Sequence, residues 1–226
     1  MQSLLNPRLL FDLDQVFLKE QFAVDDVFQL LGSALTARIE ALLRQYEVGD
    51  RPCVKGKVSP HAVLEGAVYV GEGAEVGPFA YIQGPTFIAP GAEVRHGAFI
   101  RGSAYIGPKA VVGHTTEVKG SIFFDEAKAG HFAYVGDSIL GRDVNLGAGT
   151  KLANLKLKGD AVRVVHPESM EHIPSGLRKL GALLGDHAQT GCNAVLSPGT
   201  ILLANTGVLP CVHYHGTLTK GFARGG

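Results

Sequence analysis

From Val58 onward an aliphatic or aromatic residue recurs every six positions: Val58, Leu64, Val70, Val76, Ile82, Ile88, Val94, Ile100, Ile106, Val112, Val118 and Phe124. Four residues after each stands a small or branched residue, running from Ala62, Val68, Ala74 and Ala80 to Thr116 and Ile122, and Lys128 breaks this second column. A period of six fits neither an amphipathic helix nor an alternating strand. It predicts short strands joined by tight turns, each sending one large side chain inward, which is the hexapeptide pattern of a parallel β-helix. Three hexads make one triangular coil of about eighteen residues.

The pattern continues through Val135, Leu140, Leu146 and Leu152, with two five-residue steps around "EAKAGHFAYVGD". It stops near Asn154 and returns at Leu184, Thr190, Leu196, Leu202 and Val208, which sums to about seven coils. Residues 154–183 are therefore an insert, and its alternation at Leu155, Leu157, Val162 and Val164 suits a hairpin. The first 52 residues differ in kind. Val27, Leu30, Leu31, Ala34, Leu35, Ile39, Leu42 and Leu43 fall at helical spacing, with Asp25 as a candidate N-cap. Such a segment is expected to cap the first coil, whose strand edges are otherwise unpaired. The expected layout is a helical segment at 1–52, a β-helix at 53–213 with its insert, and a tail at 214–226.

Composition narrows the partners. Lys and Arg total 21 and balance 21 Asp and Glu, so the chain lacks the basic excess that nucleic acid or a membrane surface calls for. Cys53, Cys192 and Cys211 have no metal-type spacing and suit reduced thiols in a cytoplasmic protein. Asp12 and Asp14 interrupt the opening where a signal peptide needs an apolar run, and no stretch is long and apolar enough to span a bilayer.

The coil then serves as a ruler. Arg101 and Lys119 are eighteen residues apart, and both follow an inward aliphatic, so they should stack roughly 5 Å apart on one face. Two cations that close repel unless a phosphate or nearby acids such as Glu117 relieve them. His96 and His114 are also eighteen apart, and His131 follows seventeen later, so all three should lie along one edge. Zinc-dependent hydratases of this architecture resemble a pattern with two histidines five residues apart, which is missing here, so no metal is expected. His131 is the candidate base, because an imidazole can accept a proton near neutral pH. Its company is Lys119, Lys128, Tyr134 and Asn145, a set suited to acylating an amine on a phosphorylated substrate.

"FIR" ending at Arg101, "TEVKGS", "KAGHFAYVGD" and "NLGAGT" together resemble the acetyltransferase domain of the bifunctional N-acetylglucosamine-1-phosphate uridylyltransferase/glucosamine-1-phosphate acetyltransferase family. The resemblance implies an all-β, left-handed parallel β-helix that assembles as a homotrimer and serves nucleotide-sugar biosynthesis. It implies His131 as general base, Arg101 and Lys119 on the sugar phosphate, and Tyr134 and Asn145 on the sugar. Ala148, Asn154 and Cys192 fall where relatives approach acetyl-CoA, the implied co-substrate. About fifty helical residues leave no room for a nucleotidyltransferase domain, so a stand-alone acetyltransferase is expected. The insert looks archaeal in type, and the tail lacks the usual coenzyme-binding arm. Lys156, Lys158, Arg178 and Lys179 are candidate contacts for coenzyme phosphates or simply solvated loop charge. Three other functions stay open: an acyltransferase for a different amino sugar, a non-catalytic sugar-phosphate-binding scaffold, and a zinc hydratase that metal analysis would settle.

Overall fold

The computed structural model describes residues 4–224. Among them, short parallel strands stack into three long sheets of nine, nine and eight strands, the faces of a left-handed triangular prism. Sheet A runs from Cys53–Val54 to Thr217–Leu218, sheet B from Lys57–Val58 to Phe222–Ala223, and sheet C from Val63–Glu65 to His213–Tyr214. Each coil visits A, B and C in that order, and neighbouring coils pair in register, as Val70 with Ile88 and Val118 with Val135.

The hexad column fills the prism. Val70, Val76, Ile82, Ile88, Val94, Ile100, Ile106, Val112 and Val118 are buried in one central cluster, alternating with Ala74, Ala80, Ala92 and Ala98. Burying an aliphatic side chain of this size contributes about 1.5–3 kcal/mol. The small column turns the corners. Where Thr or Ser occupies it, the hydroxyl bonds within the turn, as Thr86 does to the Gln83 carbonyl at 2.6 Å and Thr150 to Gly147 at 2.8 Å.

The structure differs from the sequence expectations in several places. Phe123, not Phe124, fills the interior, since Ile106 pairs with Phe123. The five-residue step therefore comes at Val118–Phe123, and Ala127 takes the small position assigned to Lys128. Phe124 points outward instead, edge-on to Phe11 and Phe22 at 5.3 and 5.0 Å. Among the described residues the coils also number about nine rather than seven, because Cys53–Val54, Lys128–His131 and three strands within residues 213–223 add to the hexads counted from the sequence.

The N-terminal segment is mostly 3-10 turns, with one α-helix, α1, at Gly32–Gln45. Asp26, not Asp25, caps a turn there, accepting from the Phe28 N–H at 2.8 Å, and α1 starts only after extended Leu31. Nor is this segment confined to the first coil, where Cys53 packs against it. It lies along the outer face of sheet A, where Leu10, Phe11, Phe22, Leu30, Leu35 and Ile39 pack on Tyr69, Phe87, Tyr105, Ile122, Ile139 and Ile201. The reason is the composition of that sheet: Val68–Val70, Thr86–Ile88 and Ala104–Ile106 are buried at every residue. A strand buried along its whole length needs cover on both sides, and a larger area is gained there than at one coil end. Polar pins fix the segment. Asp125 accepts from the Phe17 N–H at 3.1 Å, and Asp186 accepts from the Asp12 N–H at 2.7 Å. The insert carries an antiparallel hairpin, Arg163–Val165 with His172–Pro174, whose Val162 and Val164 join the same outer cluster.

Candidate functional site

Sheet C is the face that keeps polar side chains beside the motif residues. The strands Phe99–Arg101, Glu117–Lys119 and Tyr134–Gly136 stack on it, pairing Phe99 with Glu117, Glu117 with Tyr134 and Lys119 with Gly136. Arg101 and Lys119 end adjacent strands, near the corner where sheet C gives way to sheet A. Together with Gly32, Thr36, Ser103, Gly120 and Asp137 they line a cavity of about 140 Å³. The start of α1 thus closes one side, with Thr36 Oγ1 2.8 Å from Ser103 Oγ.

Each of the two cations is paired with a carboxylate. Arg101 Nη1 donates to Glu117 at 2.7 Å, and Lys119 Nζ donates to Asp137 at 2.6 Å. The pairs differ in character. Arg101 and Glu117 have side chains 43% and 35% exposed, whereas Asp137 is 6% exposed beneath Lys119 at 26%. Asp137 has φ near +45°, a left-handed conformation that Asp tolerates better than most residues, and this aims it back under the preceding coil. Asn154 Nδ2 donates to its other oxygen, and Asn154 Oδ1 accepts from the Tyr134 hydroxyl at 3.3 Å. Burial first, then the carboxylates of Glu117 and Asp137, push the Tyr134 phenol up, so at neutral pH it remains an O–H donor. The Glu117 hydrogen bond holds the Arg101 guanidinium above its ordinary value, keeping it cationic.

His131 stands elsewhere, on the rung that carries Tyr134. It ends the sheet B strand Lys128–His131, at the corner leading into sheet C, three residues before Tyr134. It is exposed and does not line the Arg101–Lys119 cavity, so the imidazole and the cationic cradle flank Tyr134 from opposite ends of one strand. The expected histidine edge is present: the His96 and His114 rings stack at 5.3 Å, and His114 pairs in register with His131. Gly113 and Gly130 make this approach possible, because a Cβ on Gly113 would lie 1.9 Å from the Gly130 carbonyl carbon. Lys128 turns away toward Asp143 at 3.2 Å. Among the described residues, no group of three or more His, Cys, Asp or Glu is arranged to hold a metal ion.

The remaining motif residues divide between faces. Asn145 is exposed on sheet B, in register with Lys128 and Gln189. Continuing the register of Ala129 with Leu146 and of Leu146 with Thr190 puts Ala148 one coil beyond His131, and Cys192 one coil beyond Ala148. Both follow the corner column that carries the histidines. Asn154 does not join them. It is buried at the far end of sheet C, because its amide is the partner that Asp137 and Tyr134 need. Asp137 and Thr36 were missed in the sequence. The first sits at a turn that reads as ordinary "GD", and the second is sixty-five residues from Arg101.

Residues 82–172 match a family model described as the GMPPB C-terminal domain. The bifunctional protein GlmU of Methanococcus aeolicus is 39% identical over 153 residues, which cover 68% of this chain and 36% of that protein. The bifunctional sugar-1-phosphate nucleotidylyltransferase/acetyltransferase of Sulfurisphaera tokodaii is 40% identical over 89 residues, covering 39% of this chain and 22% of that protein. The chain thus spans between about a fifth and about a third of the length of these relatives. A solved UDP-N-acetylglucosamine acyltransferase from Francisella novicida superposes with a TM-score of 0.39 at 13% identity, over 71% of this chain and 55% of that one. Hexad coils, motif spacing and sequence similarity agree that this chain carries a GlmU-like β-helix, resembling the acetyltransferase domain of those bifunctional proteins.

Proposed function

We propose that the chain is an N-acetyltransferase that moves an acetyl group from acetyl-CoA to the amine of an amino-sugar phosphate such as glucosamine-1-phosphate, with His131 as general base. One observation carries the reading. Arg101 and Lys119, on the two preceding coils, share a cavity with Asp137 at one end of the rung that carries Tyr134, and the exposed imidazole of His131 stands at its other end. Arg101 is the first anion contact. Its pair with Glu117 is half-exposed, worth about 0–1 kcal/mol, and yields readily to a bidentate phosphate. Lys119 is held by Asp137 and contributes charge from a fixed position.

The chemistry asks little more of the chain. As the amine nitrogen bonds to the acetyl carbon, His131 removes its proton, a contribution of about 10²–10⁴-fold. The carbon–sulfur bond then breaks, and the leaving thiolate takes that proton. The Gly147 and Gly149 N–H groups already bond to Thr190 and His131 carbonyls, which leaves the Ala148 N–H available for the oxyanion, worth about 3 kcal/mol. The small residues Ala148 and Cys192 leave the corner beyond His131 open for a pantetheine-like chain. Asn145 and Tyr134 look out from two faces of the prism. Both reach one sugar only where the corner of one copy meets a neighbour's face, so a homotrimer is part of the proposal.

The test is thiol release from acetyl-CoA with glucosamine-1-phosphate, comparing the wild type with His131→Ala. Loss of two or more orders of magnitude in kcat is expected, and retention of full activity removes His131 from the base role. The Arg101–Lys119 cavity, which His131 does not line, favours a second reading, a sugar-phosphate-binding protein without catalysis. Calorimetry separates the two: binding of glucosamine-1-phosphate without binding of millimolar acetyl-CoA supports the second.

A further inference from the structure

We infer that His114 is a positioning residue that sets the tautomer of His131, placing the lone pair of His131 on Nε2 and away from the histidine column. The inference rests on the base role proposed for His131, and it follows from counting protons along one short chain of hydrogen bonds.

Thr115 Oγ1 lies 2.8 Å from the His114 carbonyl oxygen, to which it donates, and 3.3 Å from His114 Nδ1. A hydroxyl has one proton, and the carbonyl takes it. Toward the ring Thr115 can therefore only accept, so His114 Nδ1 carries the hydrogen. A neutral imidazole has one N–H, which leaves His114 Nε2 as an acceptor. His131 Nδ1 lies 3.1 Å from that atom, so it must donate, and the free electron pair of His131 resides on Nε2. The orientation is held by packing. The rings of His96 and His114 stack within 7° of parallel, and His131 meets His114 at 70°, edge toward nitrogen. Gly113 and Gly130 allow the two coils to close at this level.

The consequence is chemical. With the other tautomer, His131 Nε2 would carry a hydrogen and could not accept one. With this tautomer, the proton taken from an amine at Nε2 leaves a cation whose Nδ1–H still points at His114. That bond becomes charge-assisted as the charge develops.

Two measurements test this separately. Ring ¹⁵N NMR of the free protein, at a pH where both rings are neutral, is expected to show His131 protonated at Nδ1 and bare at Nε2. In His114→Phe, which keeps an aromatic ring in the stack but offers no acceptor, that signature is lost. An Nε2–H tautomer for His131 in the wild type overturns the inference, whatever the activity. In the acetyl-transfer assay, His114→Phe is expected to lose about ten- to a hundredfold in kcat with KM for the sugar phosphate unchanged. His114→Gln, whose side-chain carbonyl can accept from Nδ1–H, recovers most of it. Equal kcat in wild type and His114→Phe, at unchanged thermal stability, also overturns the inference. If the tautomer is as assigned but no acetyl transfer is found, the base role falls while the His114–His131 pairing stands.

Discussion

Lys119 and Arg101 are equivalent in the motif but not in burial, and the difference sets a measurable stability gap. Lys119→Met removes the ammonium 2.6 Å from Asp137, a buried carboxylate that keeps Asn154 as a side-chain donor. Removing one partner of a buried pair costs about 3–5 kcal/mol. The remaining Asn154 bond and the partial exposure of Lys119 put this case at the lower end, about 3 kcal/mol. Arg101→Met breaks a pair exposed by 43% and 35%, worth about 0–1 kcal/mol. In a chain of this size each kcal/mol moves Tm by about 2–4 °C, so Lys119→Met should melt about 6–12 °C low and Arg101→Met at most about 4 °C low. Urea unfolding monitored by circular dichroism gives the free energies directly, provided the m-value is unchanged. The double variant Lys119→Met/Asp137→Asn should recover most of the loss, since no buried charge is left unpaired. Equal losses in the two single variants, or no recovery in the double, would refute the reasoning.

Two further outcomes follow from the N-terminal segment. Phe124→Ala removes a fully buried ring from between Phe11 and Phe22 and should cost about 3–5 kcal/mol. Limited proteolysis should then cut within residues 4–48 before the coils, and simultaneous cleavage of both would show that Phe124 belongs to the prism interior. Asp125 is half-buried beside Phe17, and burial raises its carboxyl pKa against the opposing Phe17 N–H bond. The folded state therefore binds that proton more tightly than the unfolded chain. The stability of the wild type relative to Asp125→Asn should grow as pH falls through the carboxylate range and be lost as pH rises through the folded pKa. Urea midpoints of both proteins between about pH 4 and pH 7 read this directly, and a difference that stays flat contradicts it.

The corner and face positions of the site show how far the sequence reaches. Once eighteen residues make a coil, Arg101 must lie beside Lys119 and His114 beside His131, because parallel strands in register stack equal positions. The same rule cannot say where on the triangle two residues of one coil fall. His131 and Lys119 are therefore near in sequence yet lie on neighbouring rungs, at opposite ends of the sheet C face. Nor does it settle which of two adjacent phenylalanines points in. A single five-residue step exchanges inside for outside, and Phe124 left the core for this reason.

By itself the sequence determined the prism, its strand columns and the residues that share a column. A six-residue period has one way to bury its large side chains, and each coil repeats the decision locally. Only the tertiary structure decided what covers sheet A, which acids neutralise the two cations, and that Asn154 serves Asp137 and Tyr134 rather than the Ala148 corner. Those outcomes depend on contacts between segments far apart in the chain, such as Thr36 with Ser103 and Phe11 with Phe124. They are set by complementary area and by the need of each buried polar atom for a partner, which no local pattern records.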